Sequence, residues 1–480
     1  MKPHDYPQQP ADLWEHFYRI TQIPRPSKHE AAVRDYLIGQ ADARGFGHTC
    51  DEAGNLLVRV PASPGREGHP TVVIQNHLDM VTVKKADSPH DFLVDPLQLA
   101  VRDGWLGATG TTLGADNGIG CAAAAALMTA SGVDHPPLEL LFTVDEETGL
   151  GGALNLDAGM LSGSLMLNLD TEDWNELYVG CAGGAGMEFT KSYSTAPVDS
   201  GAGSWELRIG GLSGGHSGIQ IHEQLGNAIK LLGECLEDVQ GLRLQAFDAG
   251  LAHNVIPREG RVSFSCSPEQ AEALAQRLPV IRQRWLDYLP AVDAQLELTL
   301  QAVATDSALE ARDSRQVLDL IAALPHGAQA YNLEQRAELV DLSINLAVLQ
   351  LTQGTLFVET SFRFFDAGQS LPLRHTLMAL TRAFALDVEE TVGYPGWKPD
   401  FDSALLARAS ALHERLFASV PAVKAIHAGL ECGILKGAKP DLDILSFGPT
   451  IRGAHSPTER LKIDTVAPFW QFLTALLAEI

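Results

Sequence analysis

Cysteine is scarce in this sequence, with six residues in 480: Cys50, Cys121, Cys181, Cys235, Cys266 and Cys432. None of them belongs to a Cys-x-x-Cys pair, which argues against a thiolate metal site and a dithiol redox motif. Six scattered cysteines are also too few for disulfide bonds to stabilise a chain of this length. We therefore expect reduced, mostly packed thiols, as is typical of cytoplasmic proteins.

Positive charge is also in deficit. Lysine and arginine together number 35 against 60 aspartate and glutamate residues, which gives a formal net charge of −25. No run of basic residues interrupts this acidic average, so the sequence lacks the footprint of a nucleic-acid-binding protein. Most carboxylates are expected on a solvated surface, but the surplus also offers many oxygen ligands for hard cations.

Long apolar runs are missing as well. The longest, GIGCAAAAALMTA at 118–130, is shorter than the ~20 residues that span a bilayer. The segment MKPHDYPQQPADLWEHF at 1–17 has proline and acidic residues where a secretory signal has an apolar stretch. We expect no transmembrane helix, no membrane partner and a cytoplasmic location.

The sequence does contain enough apolar residues, 45%, to bury a large core, and its length suggests two domains. Apolar positions recur at helical spacing within 11–44. Short β-rich runs follow at 55–60, 71–80, 138–147 and 164–170. Apolar strands that alternate with helical stretches predict an α/β fold with a mostly parallel sheet flanked by helices.

A change of pattern marks a second domain. After the glycine-rich segment 180–187, half-buried strands and an amphipathic helix predict an α+β unit with its own sheet. The segment YPGWKPD at 394–400 is the expected return point, after which the first pattern resumes. We predict a catalytic domain of residues 1–186 plus 398–480 with an inserted domain of residues 187–397.

Polar residues gather where the apolar runs end, at His77 and Asp79, at 145–147 and at Asp170. Open α/β sheets bind ligands at this edge. His77 and Asp79 share one face of an extended strand, so Asp79 can hold one imidazole nitrogen while the other binds a metal. Glu146 and Glu147 can divide the work between metal ligand and general base. Alternatively, His77 and Asp79 form a solvated surface pair, and residues 145–147 are a solvated strand end.

Two further residues have equally open interpretations. Asp116 lies in GADNGIG at the start of a small-residue helix, where it either caps the helix or bridges two cations. His455 lies in a loop after another apolar strand, where a surface role would also account for it. Taken together, two histidines and several carboxylates at strand ends suit a dinuclear site with oxygen and imidazole ligands.

The ordered motifs resemble those of a known enzyme family. The series NHLDM, GADNGIG, TVDEETG, LNLD, GGHSG, HNVIPRE and GAHSPTER is similar in order and spacing to the co-catalytic zinc peptidases of the aminoacylase/carboxypeptidase G2 group. The resemblance covers essentially the whole chain. It implies a metal-dependent dipeptidase for short peptides with a free N-terminus, including Xaa-His dipeptides. It also implies two divalent cations per subunit, Zn²⁺ first, with Co²⁺ or Mn²⁺ as alternatives.

The resemblance implies a role for each residue of the metal centre. One metal would be held by His77, Asp116 and Asp170, and Asp116 would bridge to a second metal on Glu147 and His455. Asp79 would orient His77, and Glu146 would act as general base and acid. The Asp116–Asn117 peptide bond is expected to be cis.

The inserted domain is expected to act as a lid and to form a homodimer. Within it, the resemblance implies that His216 stabilises the oxyanion, often from the partner subunit. Asn254 and Arg363 would hold the substrate's backbone and terminal carboxylate.

Glu431, in GLECG, is a candidate site-edge residue outside the catalytic set.

Two other functions compete with the dipeptidase. An N-acyl amino-acid deacylase would use the same metal pair, and a metal-dependent binding protein would use it without catalysis. The presence of all five ligands and of Glu146 argues against the binding protein. Substrates with free or blocked amino groups separate the two enzymes.

Overall fold

The computed structural model of this chain describes residues 2–332 and 339–480. The helices in these ranges are α1 (Ala11–Thr21), α2 (Ala31–Arg44), α3 (Ala115–Thr129), α4 (Gly151–Leu154), α5 (Ala228–Leu236), α6 (Pro268–Leu286), α7 (Ala311–Ala323), α8 (Ala367–Phe384), α9 (Ala404–Phe417), α10 (Glu431–Ala438) and α11 (Ile463–Glu479). The strands are β1 (Gly47–Cys50), β2 (Leu56–Val60), β3 (Val72–His77), β4 (Leu99–Arg102), β5 (Trp105–Ala108), β6 (Leu138–Thr143), β7 (Leu165–Asn168), β8 (Glu176–Cys181), β9 (Gly183–Ser192), β10 (Thr195–Pro197), β11 (Gly203–Gly210), β12 (Gly215–His216), β13 (Arg243–Ala249), β14 (Val255–Ile256), β15 (Gly260–Cys266), β16 (Glu297–Ala302), β17 (Ser307–Leu309), β18 (Gly327–Tyr331), β19 (Val340–Thr352), β20 (Thr355–Phe364), β21 (Asp387–Tyr394), β22 (Ala422–Ile426), β23 (Asp443–Ser446), β24 (Ile451–Arg452) and β25 (Arg460–Lys462).

The chain forms two compact units. The first comprises Met1–Cys181, Trp397–Ala425 and Leu430–Ile480, and the second comprises Ala182–Gly396 and Ile426–Gly429. The boundaries expected from the sequence, 186/187 and 397/398, differ by a few residues and omit the return at 426–429. The first boundary falls earlier because β9, which begins at Gly183, pairs with β20 of the second unit.

The sheet of the first unit has the strand order β1-β2-β6-β3-β7-β23-β8-β22. Its inner strands β6, β3, β7 and β23 are parallel, whereas β1, β2 and β8 pair antiparallel with their neighbours. All residues of β3 and β6 are buried, as in sheets covered on both faces. The predicted α/β fold is therefore confirmed, and its parallel strands form the centre of a mixed sheet.

Helix α3 positions one of the candidate ligands and packs directly against β3. Its sequence, ADNGIGCAAAAALMT, consists mainly of small residues that are buried, which lets the helix approach the sheet closely. A Cβ atom on Gly120 would collide with the side-chain amides of Asn76 and Asn117 and lie 2.8 Å from the Leu169 carbonyl oxygen. Helices α1 and α2 pack on α3 in turn.

A second, four-stranded sheet of the first unit has the order β24-β25-β5-β4. Its three pairings are antiparallel. The loop that carries His455 connects β24 to β25, so this sheet fixes both ends of that loop.

The second unit contains a large sheet with the order β16-β11-β15-β13-β19-β20-β9-β21, and β18 pairs with β19 beside this path. These strands are antiparallel neighbours. Helices α5, α6, α7 and α8 pack against the sheet and enclose a core that includes Phe247, Phe264 and Trp285. The predicted α+β unit with its own sheet is confirmed.

The cysteines are free thiols, and all except the exposed Cys50 are buried, as expected from their spacing. Across residues 2–332 and 339–480, no helix combines the length and apolarity that a bilayer-spanning segment requires.

The close approach of α3 to the sheet can be tested with Gly120→Ala. Alanine normally stabilises a helix interior by about 1 kcal/mol relative to glycine. At position 120 the added methyl group must instead displace backbone, and overpacking of this kind costs about 1–3 kcal/mol. We expect Gly120→Ala to lower the free energy of unfolding, measured by chemical denaturation.

Gly39→Ala is the matched control. Gly39 lies within α2, and an added Cβ atom would meet nothing within 4 Å. The same substitution should therefore be neutral or stabilising there. Equal effects at the two positions would show that the contacts of Gly120 do not limit helix packing.

Candidate metal centre

Parallel strand ends bring the candidate ligands of the first unit together. His77 is the last residue of β3, while Glu146 and Glu147 follow β6 and Asp170 follows β7. His77 Nε2 lies 3.1 Å from Asp116 Oδ1 and 3.3 Å from Asp170 Oδ1. The carboxyl ends of these strands thus form one cluster, as the sequence pattern predicts.

Asp116 lies at the centre of this cluster. Its Oδ1 faces His77, and its Oδ2 lies 3.2 Å from His455 Nε2. His455 Nε2 is also 3.2 Å from Glu147 Oε2. The two oxygens of one carboxylate therefore face two separate groups of possible ligands.

Three sets of side chains place their ligand atoms within 4.8 Å of one another. The sets are His77 with Asp116 and Asp170, His77 with Glu146 and Glu147, and Asp116 with Glu147 and His455. The first and third sets match the two ligand sets that the family resemblance implies, and they share Asp116.

Asp79 supports the cluster from behind. Its carboxylate accepts hydrogen bonds from the backbone N–H groups of Glu146 and Glu147, both at 3.0 Å, and from Ser27 Oγ at 2.7 Å. His77 Nδ1 lies 3.4 Å from Asp79 Oδ1. Burial alone would raise the pKa of Asp79, but the interactions with His77 and these donors hold it below its ordinary value. Asp79 thus ties β3 to the loop that follows β6.

The position of Asp116 depends on two residues to which sequence reasoning gave no role. Glu459 accepts hydrogen bonds from the backbone N–H groups of Leu113, Gly114 and Ala115 at 2.7–2.9 Å. The buried Arg25 donates to the carbonyl oxygens of Leu78, at 2.7 Å, and Asp79, at 2.6 Å, and also to that of Gly114. Arg25 lies in the motif IPRPS and Glu459 in GAHSPTER, but only tertiary contacts reveal what the two residues do.

The start of α3 bears on the capping interpretation of Asp116. The helix is capped by Gly114 at a φ of 64°, without a side-chain cap. Asp116 has a non-helical backbone, and its carboxylate faces His77 and His455 instead of the N–H groups of α3, so it does not act as a side-chain cap. Asn117 Nδ2 donates to the Leu169 carbonyl oxygen at 2.7 Å and to Asp170, and the Asp116–Asn117 peptide bond is cis.

The two histidines are surrounded by carboxylates. Burial opposes a charge on His77, but Asp170, Asp116 and Asp79 outweigh it and raise the pKa of His77 well above its ordinary value. Hydrogen bonds to Asp116 and Glu147 raise the pKa of His455 to about 11. Strong carboxylate fields therefore act on both imidazoles, as they would act on bound cations.

Other acids of the cluster are held toward the neutral form. Burial, with help from neighbouring carboxylates, raises the pKa of Asp170 to about 6 and the pKa of Glu146 well above its ordinary value. Burial and the proximity of Asp116 raise the pKa of Glu172 to about 8. Glu172 is a further acid that the sequence analysis missed, although it follows Asp170 by two residues.

The donor set fits divalent cations. It combines imidazole nitrogens with carboxylate oxygens, a set suited to zinc and similar metals. Glu147 Oε1 is buried and has no hydrogen-bond partner among the residues that the structure describes. A buried carboxylate oxygen in this condition is costly unless a cation or proton compensates it.

The remaining predicted residues, His216, Asn254 and Arg363, lie in the second unit. His216 and Asn254 line one cavity of about 620 Å³, and the backbone N–H of Ser217 donates to the Asn254 carbonyl oxygen at 2.9 Å. Arg363 lines a different cavity of about 320 Å³, where its Nη1 donates to the Tyr394 hydroxyl at 3.1 Å. The structure thus brings His216 and Asn254 to one cavity, whereas Arg363 lines another and packs beside Gly218, two residues after His216.

Known proteins are similar to this chain in both sequence and fold. The family model described as peptidase family M20/M25/M40 matches residues 73–479. The cytosol non-specific dipeptidase of Escherichia coli (strain K12) is 38% identical over 476 residues, which cover 98% of each chain.

Solved structures give a consistent result. The aminoacylhistidine dipeptidase of Vibrio alginolyticus is 37% identical and has a TM-score of 0.90 over 98% of this chain and 97% of that chain. The aminopeptidase PepT of Bacillus cereus, 15% identical with a TM-score of 0.56 over 98% of both chains, shares the fold. Since the family match covers most of the sequence and the Escherichia coli relative aligns over 98% of it, this chain belongs to peptidase family M20/M25/M40.

Proposed function

We propose that this protein is a metal-dependent dipeptidase that hydrolyses dipeptides with a free N-terminus, including Xaa-His dipeptides. The observation that carries the proposal is the pair of ligand sets that share Asp116, with Glu146 beside them. The similarity to two dipeptidases over 98% of the chain supports the same substrate class.

Two divalent cations would complete this centre. His77, Asp116 and Asp170 would hold one, and Asp116, Glu147 and His455 would hold the other. Zn²⁺ is the first choice, and Co²⁺ and Mn²⁺ suit the same ligands. When bound, such a pair activates water and polarises the scissile carbonyl.

Glu146 would move the protons of the reaction. Its backbone N–H is fixed by Asp79 at 3.0 Å, and its carboxylate lies within the set that contains His77 and Glu147. In this position Glu146 would take a proton from the attacking water and deliver it to the leaving amine. Hydrolysis then needs no covalent intermediate on the protein.

The second unit would supply substrate contacts. His216 would stabilise the oxyanion, from its own or the partner subunit, by donating a hydrogen bond. Asn254 would bind the peptide backbone, and Arg363 would pair with the terminal carboxylate. We further propose that this unit acts as a lid and forms a homodimer, and that the enzyme works in the cytoplasm like its Escherichia coli relative.

Glu146→Ala tests the proton-transfer role. We expect the variant to fold and to retain two cations but to lose kcat by about 10²–10⁴-fold, the usual contribution of a general base. Steady-state kinetics and metal analysis of the same preparation check this. Asp145→Asn, which alters the neighbouring acid outside the three ligand sets, should keep most of the activity. Wild-type turnover in Glu146→Ala would remove Glu146 from this role.

Metal stoichiometry tests the ligand assignment. His455→Ala should retain about one cation per chain, since only one ligand set contains His455. Asp116→Ala should retain neither, because both sets lose their shared carboxylate. Elemental analysis after dialysis against zinc measures this directly. Two full equivalents in both variants would contradict the assignment.

Substrate choice separates the dipeptidase from the deacylase. The purified protein should cleave an unblocked Xaa-His dipeptide, lose this activity with a chelator and regain it with zinc. It should not cleave the N-acetylated analogue. Cleavage of the acetylated compound alone would indicate a deacylase, and cleavage of neither by metal-loaded protein would favour a binding role.

A further inference from the structure

A row of buried polar side chains crosses the four parallel strands of the first unit. We call Thr143 of β6, Gln75 of β3, Asn168 of β7 and Ser446 of β23 the polar row. Asn168 Nδ2 donates to Gln75 Oε1 and Ser446 Oγ donates to Asn168 Oδ1, both at 2.5 Å. Gln75 Nε2 lies 3.3 Å from Thr143 Oγ1. All four residues have no exposed surface.

The polar row lies next to the candidate ligands in the sequence of each strand. Gln75 precedes His77 by two residues, and Asn168 precedes Asp170 by two. Side chains two residues apart on a strand share a face, so the row continues the face that carries His77. The backbone N–H of Asp170 also donates to Asn168 Oδ1 at 3.3 Å.

Glu431 is the acidic member at the edge of this row. It begins α10 and is fully buried. Its Oε2 accepts hydrogen bonds from Gln75 Nε2 at 2.5 Å and from Thr143 Oγ1 at 2.6 Å. Its Oε1 has no hydrogen-bond partner within residues 2–332 and 339–480.

The charge of Glu431 needs compensation. Burial of an uncompensated carboxylate is costly. Neither of its two hydrogen-bond donors, an amide and a hydroxyl, carries a positive charge. Burial, with the like charges of Asp170 and Asp79, outweighs His77 and raises the pKa of Glu431 to about 8, so a proton compensates the carboxylate when no cation is bound. Glu431 acts in turn on Glu146. Glu431 therefore belongs electrostatically to the metal centre although it is in none of the three ligand sets.

We propose that Glu431 is a positioning residue of the metal centre. Through Gln75 and Thr143 it fixes the ends of β3 and β6, and its negative charge strengthens the binding of cations by His77, Asp116 and Asp170. The proposal rests on the metal centre of the proposed function. It adds a carboxylate that acts on the cations without ligating them.

Glu431→Gln separates charge from shape. Glutamine can still accept the hydrogen bonds of Gln75 and Thr143, but it removes the negative charge. We expect its affinity for Zn²⁺, measured by competition with a chelating dye, to fall at least ten-fold, equivalent to about 1.4 kcal/mol. Glu431→Asp keeps the charge and should bind Zn²⁺ more tightly than Glu431→Gln.

Glu431→Gln should weaken zinc binding but should not lower the thermal stability of the metal-free protein. In EDTA the cations that compensate Glu431 are gone, so Glu431→Gln should melt at the same temperature as wild type or higher. Zinc should raise the melting temperature of wild type more than that of the variant. A merely structural glutamate would instead lower the melting temperature equally in EDTA and in zinc.

Glu139→Gln is the matched control. Glu139 is a buried glutamate of β6 whose carboxylate accepts from the backbone N–H groups of Ser162 and Gly163 and from Ser162 Oγ. Its loss should destabilise the fold in EDTA and in zinc while leaving zinc affinity unchanged.

Zinc affinity within two-fold of wild type in Glu431→Gln would overturn the proposal, as would failure of this variant to fold where Glu139→Gln folds. The assay uses zinc without peptide. Wild-type protein that binds two zinc ions but cleaves no dipeptide would therefore refute the proposed activity and leave this test intact.

Discussion

Repulsion among buried carboxylates is the constraint on which the first unit depends. The side chains of Asp79, Asp170 and Glu147 are at most 6% exposed, and water cannot screen their mutual repulsion at that depth. Two imidazoles offset part of this charge, and burial pushes other acids toward the neutral form. A cluster with so many acids and so few cationic groups suits cations that arrive from solution.

Backbone N–H groups that donate hydrogen bonds to carboxylates offset part of this repulsion. Asp79 receives two N–H groups from the loop after β6, and Glu459 receives three from the start of α3. Each interaction stabilises a negative charge and fixes a segment that carries a candidate ligand. Arg25 has the complementary role, because its guanidinium binds the carbonyl oxygens of Leu78 and Asp79, which follow β3, and of Gly114 at the start of α3. Stabilisation of charge and positioning of ligands are thus achieved by the same contacts.

The sequence predicted the residues of this site better than their supports. His77, Glu147 and Asp170 follow apolar runs, and a parallel sheet necessarily gathers such strand ends at one edge. Asp116 and His455 were harder to place, because a helix start and a loop are compatible with capping or surface roles. The family resemblance, carried by the order of the motifs, selected the metal-bridging interpretation for Asp116.

The supporting residues could not be predicted because their roles arise from contacts between distant segments. Arg25 and Glu459 lie near opposite ends of the chain, yet both bind the loop before α3. Gln75 and Asn168 lie within apolar strands and have no local pattern that distinguishes them from other buried polar residues. The expected domain boundary also lies a few residues after the division at Cys181/Ala182, since a glycine-rich strand and a glycine-rich hinge look alike in sequence.

The polar row shows how closely the sheet and the metal centre depend on each other. An apolar row at these positions would give a more stable sheet interior, because buried polar groups need every hydrogen bond satisfied. The row instead links Thr143, Gln75 and Asn168, each two to four residues before a candidate ligand. Movement of one strand end would break a buried hydrogen bond to its neighbour. The geometry of the ligands is therefore maintained by the interior of the sheet and not by the loops alone.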